Sequence, residues 1–283
     1  MAKIAIVTDS TSYIPNDLQK KYDIHVAPAL VIWSGDEMRD GVDIQPTEFY
    51  TRLESAKEMP TTSQPSPAEL KNIYSGLAAE GYEILSIHVS HKLSGTIASA
   101  EQAQSMVPEA KIEIVDSLSA SMGLGWPVIA AARASEMGAS LAECKAIAER
   151  ARDHTGVLLT VDTLEFLHRG GRIGGAQKFI GTALNFKPVL EVRDGRVEPL
   201  ERVRTRGKAL ARLLELLEEN IAGRSPVYLA ALHANAADVA KDLLDQAAAR
   251  INPIESVLSD VSPAVGTHTG PGTVGLAFMA GFE

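Results

Sequence analysis

The sequence has one cysteine, few aromatic residues and no long apolar segment, and these scarcities are typical of an ordinary globular protein. Its one cysteine, Cys144, allows no internal disulfide and fits a reducing cytoplasm. Aromatic residues make up only 5% of the 283 residues, so the core must be mainly aliphatic. The most apolar helical pattern, 122–132, meets Arg133 and Glu136 before it could span a bilayer. We therefore expect no stable membrane insertion.

Basic residues are also scarce, with 27 Lys and Arg against 36 Asp and Glu and a net charge of −9. Because nucleic-acid binding rewards clustered Lys and Arg, this balance argues against a nucleic-acid partner. The histidines show no metal-site spacing, and the chain has no P-loop or G-x-S-x-G motif. We expect no metal, no cofactor and no catalytic residue. Since the opening residues are typical of a strand and not of a signal peptide, a cytoplasmic location is predicted.

The first half of the chain alternates strand-like and helix-like segments. Strands are predicted at 3–8, 24–33, 84–89 and 112–115. Strands that alternate with helices indicate a parallel sheet with helices on both faces. Ligands bind at the carboxyl ends of such strands, so we expect Ser10, Ser94 and Ser117 to converge at that edge.

The pattern restarts at Val157 and predicts a second α/β domain, with a hairpin whose turn is Asp194-Gly195. We place the domains at 1–155 and 156–283, with the ligand site at their junction. The segment 266–272 is predicted to be a glycine-rich loop that holds His268 and precedes a short closing helix. Its spacing Gly270 to Gly275 matches G-x-G-x-x-G, but we discount it because no strand-turn-helix context or later acid accompanies it.

Two hydroxyl-rich segments precede predicted helices. Residues 60–67 read Pro-Thr-Thr-Ser-Gln-Pro-Ser-Pro, which predicts a polar loop and then a helix with Ser66 as its N-cap and Pro67 at its first position. Ser94-Gly95-Thr96 directly follows a strand. Hydroxyls near free helix N–H groups suit a carboxylate or phosphate, although a polar, well-capped loop explains either segment alone.

Two further segments could recognise a ligand or a partner. Residues 169–175 carry Arg169 and Arg172 among paired glycines, which suggests either a helix end with a flexible turn or an exposed arginine loop that grips an acidic partner. His268 lies between two threonines and is equally open to a structural role and a site role.

These motifs together resemble the DegV family of bacterial fatty-acid-binding proteins. They occur in order over nearly the whole chain. The matching pieces are 8–10, 40–44, 60–67, 93–96, 121–123, 169–173, 187–190, 202–205 and 266–272. Met38 and Ile97 depart from the aromatic residues common in relatives, so acyl-chain preference is not carried over.

The resemblance implies two α/β domains that clasp one long-chain fatty acid, with its tail in an apolar tunnel. Hydroxyls of Thr62 and Ser94 would hold the carboxylate. The neighbouring residues of this predicted carboxylate site are Thr61, Ser63, Gly95, Thr96 and His268. Family members of this kind present the lipid to a separate ATP-dependent fatty acid kinase subunit, which forms an acyl-phosphate for phospholipid synthesis. Arg169, Arg172 and Arg204 would dock that subunit, and the chain itself would not be an enzyme.

Two other functions fit the same residues. A serine-type hydrolase of acyl esters would use Ser94 as nucleophile and His268 as base. A binder of a small phosphorylated metabolite would use the same helix starts.

Overall fold

The computed structural model describes residues 3–180 and 186–283 of the chain. The strands are β1 Lys3–Asp9, β2 Ile24–Ala27, β3 Leu30–Trp33, β4 Asp36–Arg39, β5 Thr61–Ser63, β6 Tyr82–His88, β7 Ile112–Asp116, β8 Thr155–Thr160, β9 Lys187–Arg193, β10 Arg196–Val203, β11 Val227–His233, β12 Glu255–Asp260 and β13 Val274–Ala280. The helices are α1 Asn16–Lys21, α2 Pro46–Glu54, α3 Pro67–Ala79, α4 Thr96–Ser105, α5 Met122–Glu136, α6 Leu141–Asp153, α7 Glu165–Arg169, α8 Arg206–Ile221, α9 Ala237–Ile251 and α10 Pro263–Thr269. Two 3-10 helices cover Ser10–Ser12 and Gly174–Phe179.

The first half contains the predicted parallel sheet, in the order β2-β1-β6-β7. One face packs against α3 and α4 through a hydrophobic cluster that includes Leu70, Tyr74 and Ala100. The other face packs against α5 and α6. Helix α3 begins as its sequence predicts, because the Ser66 hydroxyl accepts a hydrogen bond from the Glu69 N–H and Pro67 follows. The predicted α/β class is therefore confirmed.

The prediction of one strand over 24–33 is wrong. The structure breaks it between Ala27 and Leu30, at Pro28, into β2 of the parallel sheet and β3 of a separate antiparallel sheet with order β4-β3-β5. Proline has no N–H for a sheet ladder, which suits it to a break between strands. The hydroxyl-rich residues 61–63 are also not a loop: they form β5, in which Thr62 lies opposite Val31 of β3.

The second half is built on a six-stranded sheet with order β10-β9-β8-β13-β11-β12. All neighbours are antiparallel except β11 and β12. The predicted hairpin is present, since β9 and β10 pair across Asp194-Gly195. The predicted closing helix is wrong: residues 274–280 form β13, a central strand that is buried along its whole length. The predicted His268 loop is also wrong, because His268 lies in α10.

Helix α5 lies between the two large sheets, which explains why most of its side chains are buried. Trp126 is fully buried, and its indole N–H donates to the Ala277 carbonyl of β13 at 3.3 Å. One hydrophobic cluster runs from the parallel sheet through α5 to the six-stranded sheet. The two halves thus share a core. Among the described residues, no helix combines the length and apolarity needed to cross a bilayer.

Candidate functional site

A cavity of about 130 Å³ lies where the two halves meet. Most of its wall is aliphatic, and one part of that wall is a face of the six-stranded sheet. Val157 of β8 lies directly opposite Val192 of β9, which lies opposite Val197 of β10. These three valines line the cavity as neighbours on adjacent strands. The register therefore produces a continuous apolar surface.

A second row of the same wall contains a glycine. Leu159 of β8 lies opposite Gly275 of β13, which lies opposite Leu232 of β11, and all three line the cavity. Because Gly275 has no side chain, β8 can approach β13 closely at this point. A Cβ there would come within 2.7 Å of the Leu158 carbonyl oxygen. The wall thus offers continuous apolar contact, which suits an alkyl group.

The polar part of the cavity is built from both halves of the chain. The Thr62 hydroxyl of β5 and His268 Nε2 of α10 form a hydrogen bond of 2.8 Å. They are 206 residues apart in the sequence. Gly170 lies against the other side of the imidazole, so closely that a Cβ there would come within 2.1 Å of His268 Nδ1. Both Thr62 and His268 line the cavity, as does Ser63.

Ser94 joins this polar group from the loop after β6 and also lines the cavity. Its hydroxyl is 2.9 Å from the hydroxyl of Thr96, the first residue of α4. Gly95 is the N-cap of α4 and lies against Gln64, since a Cβ on Gly95 would be 2.8 Å from the Gln64 amide nitrogen. Within the described chain, the residues that line the cavity do not include Thr61, Gly95 or Thr96. The predicted site residues thus divide into cavity residues and supporting residues.

The imidazole of His268 is neutral at neutral pH. Burial, together with the nearby Arg172 guanidinium, lowers the pKa of His268 to about 4. Nδ1 is buried and has no hydrogen-bond partner among the described residues. A neutral imidazole that is already bonded to Thr62 can orient a hydroxyl and contact an acidic head group without carrying charge itself.

Arg172 provides the positive charge at this end of the cavity. Its Nε donates to the Leu93 carbonyl at 2.9 Å, and its Nη1 donates to the Gly170 carbonyl at 2.7 Å. The side chain is half-buried and lines the cavity. The expectation of a wholly exposed arginine loop is therefore wrong for Arg172. Arg169 fits it better, because its guanidinium is exposed and pairs with Glu165 of the same helix turn, at 2.5 Å. Arg204 is also exposed, just before α8.

The predicted convergence of three serines holds only for Ser94. Ser10 is buried and donates to Asp40 at 2.7 Å, and the Ser117 hydroxyl donates to the Ser119 carbonyl at 3.2 Å. Neither lines the cavity. The loops themselves do meet, since the N–H of Ser90 donates to the Ser119 carbonyl at 2.9 Å. Their polar side chains stabilise the strand ends.

Sequence reasoning missed a buried polar network beneath the cavity. Asp9 Oδ2 accepts from the Val89 N–H and contacts His88 Nδ1, both at 3.0 Å. Its other oxygen accepts a hydrogen bond from the Thr11 hydroxyl. Both Thr11 and Val89 line the cavity. Burial by itself raises the pKa of Asp9. The hydrogen bond and charge of His88, with the hydrogen bonds from Thr11 and Val89, outweigh this effect, so the pKa of Asp9 is lowered overall. One carboxylate thus fixes two strand ends, and only the polar turn after β1 hinted at it.

The hydrogen bonds at the polar end do not support a serine hydrolase. Nucleophilic serine needs its hydroxyl within hydrogen-bond reach of the base. Ser94 is instead bonded to Thr96, and His268 to Thr62. Within the described ranges, 3–180 and 186–283, no group of His, Cys, Asp or Glu side chains could hold a metal ion.

The chain matches a family model described as uncharacterised protein, DegV family, over residues 3–281. A DegV domain-containing protein of Streptomyces coelicolor is 38% identical over 275 residues, which cover 96% of this chain and 97% of the relative. A DegV family protein from Thermus thermophilus, whose structure is described as showing fatty acid binding, superposes with a TM-score of 0.93 at 39% identity, covering 98% and 99% of the two chains. DegV of Bacillus subtilis, described as a fatty acid binding protein, superposes with a TM-score of 0.91 at 33% identity, covering 99% and 100%.

Proposed function

Since this chain belongs to the DegV family, we propose that it binds one long-chain fatty acid in the cavity between its halves. The observation that carries the proposal is an aliphatic cavity with hydroxyl, imidazole and guanidinium groups at one part of its wall. Thr62, Ser94 and His268 would position the carboxylate, with Arg172 supplying charge beside them. The solved relatives from Thermus thermophilus and Bacillus subtilis, described as fatty acid binding, support this reading.

The two parts of the ligand would contribute differently to affinity. Each buried CH₂ contributes about 0.8 kcal/mol, so a sixteen-carbon tail supplies roughly 10 kcal/mol before ordering costs. Hydrogen bonds to a carboxylate each contribute about 1.5–3 kcal/mol. The tail would therefore supply most of the affinity, and the polar group would fix which end of the ligand lies beside Thr62 and His268.

We further propose that the bound acid is presented to a separate ATP-dependent kinase subunit, without turnover by this chain alone. Hydroxyl donors leave the carboxylate charged, and one of its oxygens can then attack the γ-phosphate of ATP bound to the kinase subunit, with ADP as the leaving group. Arg169 and Arg204 are exposed cations that a kinase subunit could contact. Arg172 would serve the head group first, since its guanidinium is half-buried and bonded to two carbonyls. A kinase subunit could contact Arg172 only through the part of its side chain that remains exposed.

Competition binding tests the proposal. The protein is titrated with a fluorescent fatty acid, and palmitate, hexadecanol and an organic phosphate then compete for it. We expect palmitate to compete most strongly, hexadecanol less strongly because it lacks the carboxylate, and the phosphate not at all. Displacement by the phosphate would favour the small-metabolite function. Equal competition by palmitate and hexadecanol would remove the polar group from ligand recognition.

A further inference from the structure

The tip of the β9–β10 hairpin lies on the loop that follows β6. The Ser90 hydroxyl donates to the Gly195 carbonyl at 2.9 Å, and Lys92 Nζ donates to the Asp194 carbonyl at 2.7 Å. Gly195 has a φ of +77°, and a Cβ there would come within 2.3 Å of the Ser90 oxygen. A side chain at this position would meet the Ser90 hydroxyl and would have to adopt a left-handed backbone, so both features favour glycine there.

A third hydrogen bond joins the same loop to the second half of the chain. Arg172 Nε donates to the Leu93 carbonyl at 2.9 Å. We call the contacts of residues 90–93 with Arg172 and with residues 194–195 the seam. All three hydrogen bonds of the seam end on main-chain carbonyls, so each is broken without leaving a charged acceptor behind.

The seam lies along the cavity. Leu93 on one side of it and Val192 and Val197 on the other line the cavity wall. Among the described strands, β10 pairs only with β9 and is an edge strand of its sheet, whereas β9 also pairs with β8. The hairpin tip extends beyond Val192, the last β9 residue paired with β8 toward the tip. Because hydrogen bonds of the seam hold this tip, it separates more readily than the central strands β8 and β13.

We propose that the seam is the place where the protein opens to admit and release the acyl chain. This inference rests on the proposed fatty-acid binding. The tip of the hairpin moves away from residues 90–93, which uncovers the row formed by Val192 and Val197. Ser90 and Lys92 then set the rate of exchange more than the affinity, because their hydrogen bonds are broken in the opening step and re-formed around either the empty or the filled cavity.

A reversible cross-link tests the seam directly. The double variant Ser90→Cys with Gly195→Cys places the two Cβ atoms 3.4 Å apart and removes the Ser90 hydroxyl that a Cβ at 195 would meet, so the φ of +77° at position 195 is the strain that remains. Native disulfides have Cβ separations of about 3.5–4.5 Å. The natural Cys144 is fully buried and leaves the pair undisturbed. The protein is loaded with cis-parinaric acid and oxidised, and transfer to phosphatidylcholine vesicles is followed by fluorescence. We expect oxidation to stop transfer and reduction to restore it, with each single-cysteine variant unaffected by oxidation.

A second measurement covers the case in which the double variant does not fold. Ser90→Ala and Lys92→Met each remove one seam hydrogen bond, which should raise the rates of uptake and release about fivefold with little change in affinity. Ser105→Ala, which removes a surface hydroxyl on α4, is the matched control. Unchanged transfer from the oxidised protein, or unchanged rates in both Ser90→Ala and Lys92→Met, would overturn the proposal that the protein opens at the seam. Failure of the wild type to take up cis-parinaric acid at all would instead remove the proposed function.

Discussion

The sharpest consequence of the structure concerns Gly170, at the end of α7. Its backbone has an ordinary helical conformation, with φ −76° and ψ −6°, so alanine there causes no backbone strain. The added Cβ would lie 2.1 Å from His268 Nδ1 and 3.0 Å from Cε1. Ordinary contacts are about 3.5–4.0 Å, so the imidazole must move by more than about 1 Å. That movement would break the 2.8 Å hydrogen bond with Thr62.

The cost of Gly170→Ala follows from these distances. Overpacking of this kind costs about 1–3 kcal/mol, and the lost hydrogen bond adds about 1 kcal/mol. For a chain of this size we expect the Tm to fall by about 5–10 °C, since each kcal/mol shifts it by about 2–4 °C. Fatty-acid affinity should fall about tenfold, because the displaced imidazole no longer holds Thr62 in place. Thermal unfolding and competition binding measure the two effects.

A double-mutant cycle makes the test specific. In a His268→Ala background the ring is absent, so Gly170→Ala should then cost close to nothing. Gly207→Ala in α8 is the matched control, because nothing lies within 4 Å of a Cβ there. An equal loss of stability from Gly170→Ala in the wild-type and His268→Ala backgrounds would refute the steric reasoning.

Three further predictions concern the head group, the partner and pH. Ser94→Ala should weaken fatty-acid binding about tenfold and leave the Tm unchanged, as a titration beside Ser105→Ala would show; equal affinity of the two variants would remove Ser94 from the site. Arg169→Ala combined with Arg204→Ala should leave the lipid bound but slow acyl-phosphate formation by an added kinase subunit; unchanged rates would exclude both from docking. Burial raises the pKa of Asp40 to about 7, despite its hydrogen bond from Ser10. The folded state therefore holds this proton more tightly than the unfolded chain, and the stability it contributes is full below about pH 4 and lost as the pH rises through about 7. Unfolding curves of wild type and Asp40→Asn should diverge over that window, and parallel curves would contradict the raised pKa.

Local signals predicted much of the fold. The Ser66-Pro67 helix start and the Asp194-Gly195 hairpin are both present, because capping and turn residues act over a few positions. The closing segment is predicted to be a helix, but residues 274–280 form a central strand in which every residue is buried. A continuous apolar run has no strand-like alternation that would distinguish it from a helix.

The candidate site was predictable in its residue types but not in its pairings. Thr62 and His268 stood out by their neighbours, yet their hydrogen bond joins positions 206 residues apart. The glycines around Arg172 indicate a surface residue, but hydrogen bonds to the Leu93 and Gly170 carbonyls hold its guanidinium at the cavity near His268. Asp9 lies in the polar turn and in the matching piece 8–10, but neither indicates its partner, since His88 lies on another strand.

Native mass spectrometry of the purified protein tests the central claim most directly. The protein is sprayed without denaturant, and any released species is extracted into solvent and weighed. We predict one bound molecule with the mass of a long-chain fatty acid, and a Ser94→Ala protein that retains less of it. A protein that arrives empty and takes up neither added oleate nor added palmitate would contradict fatty-acid binding.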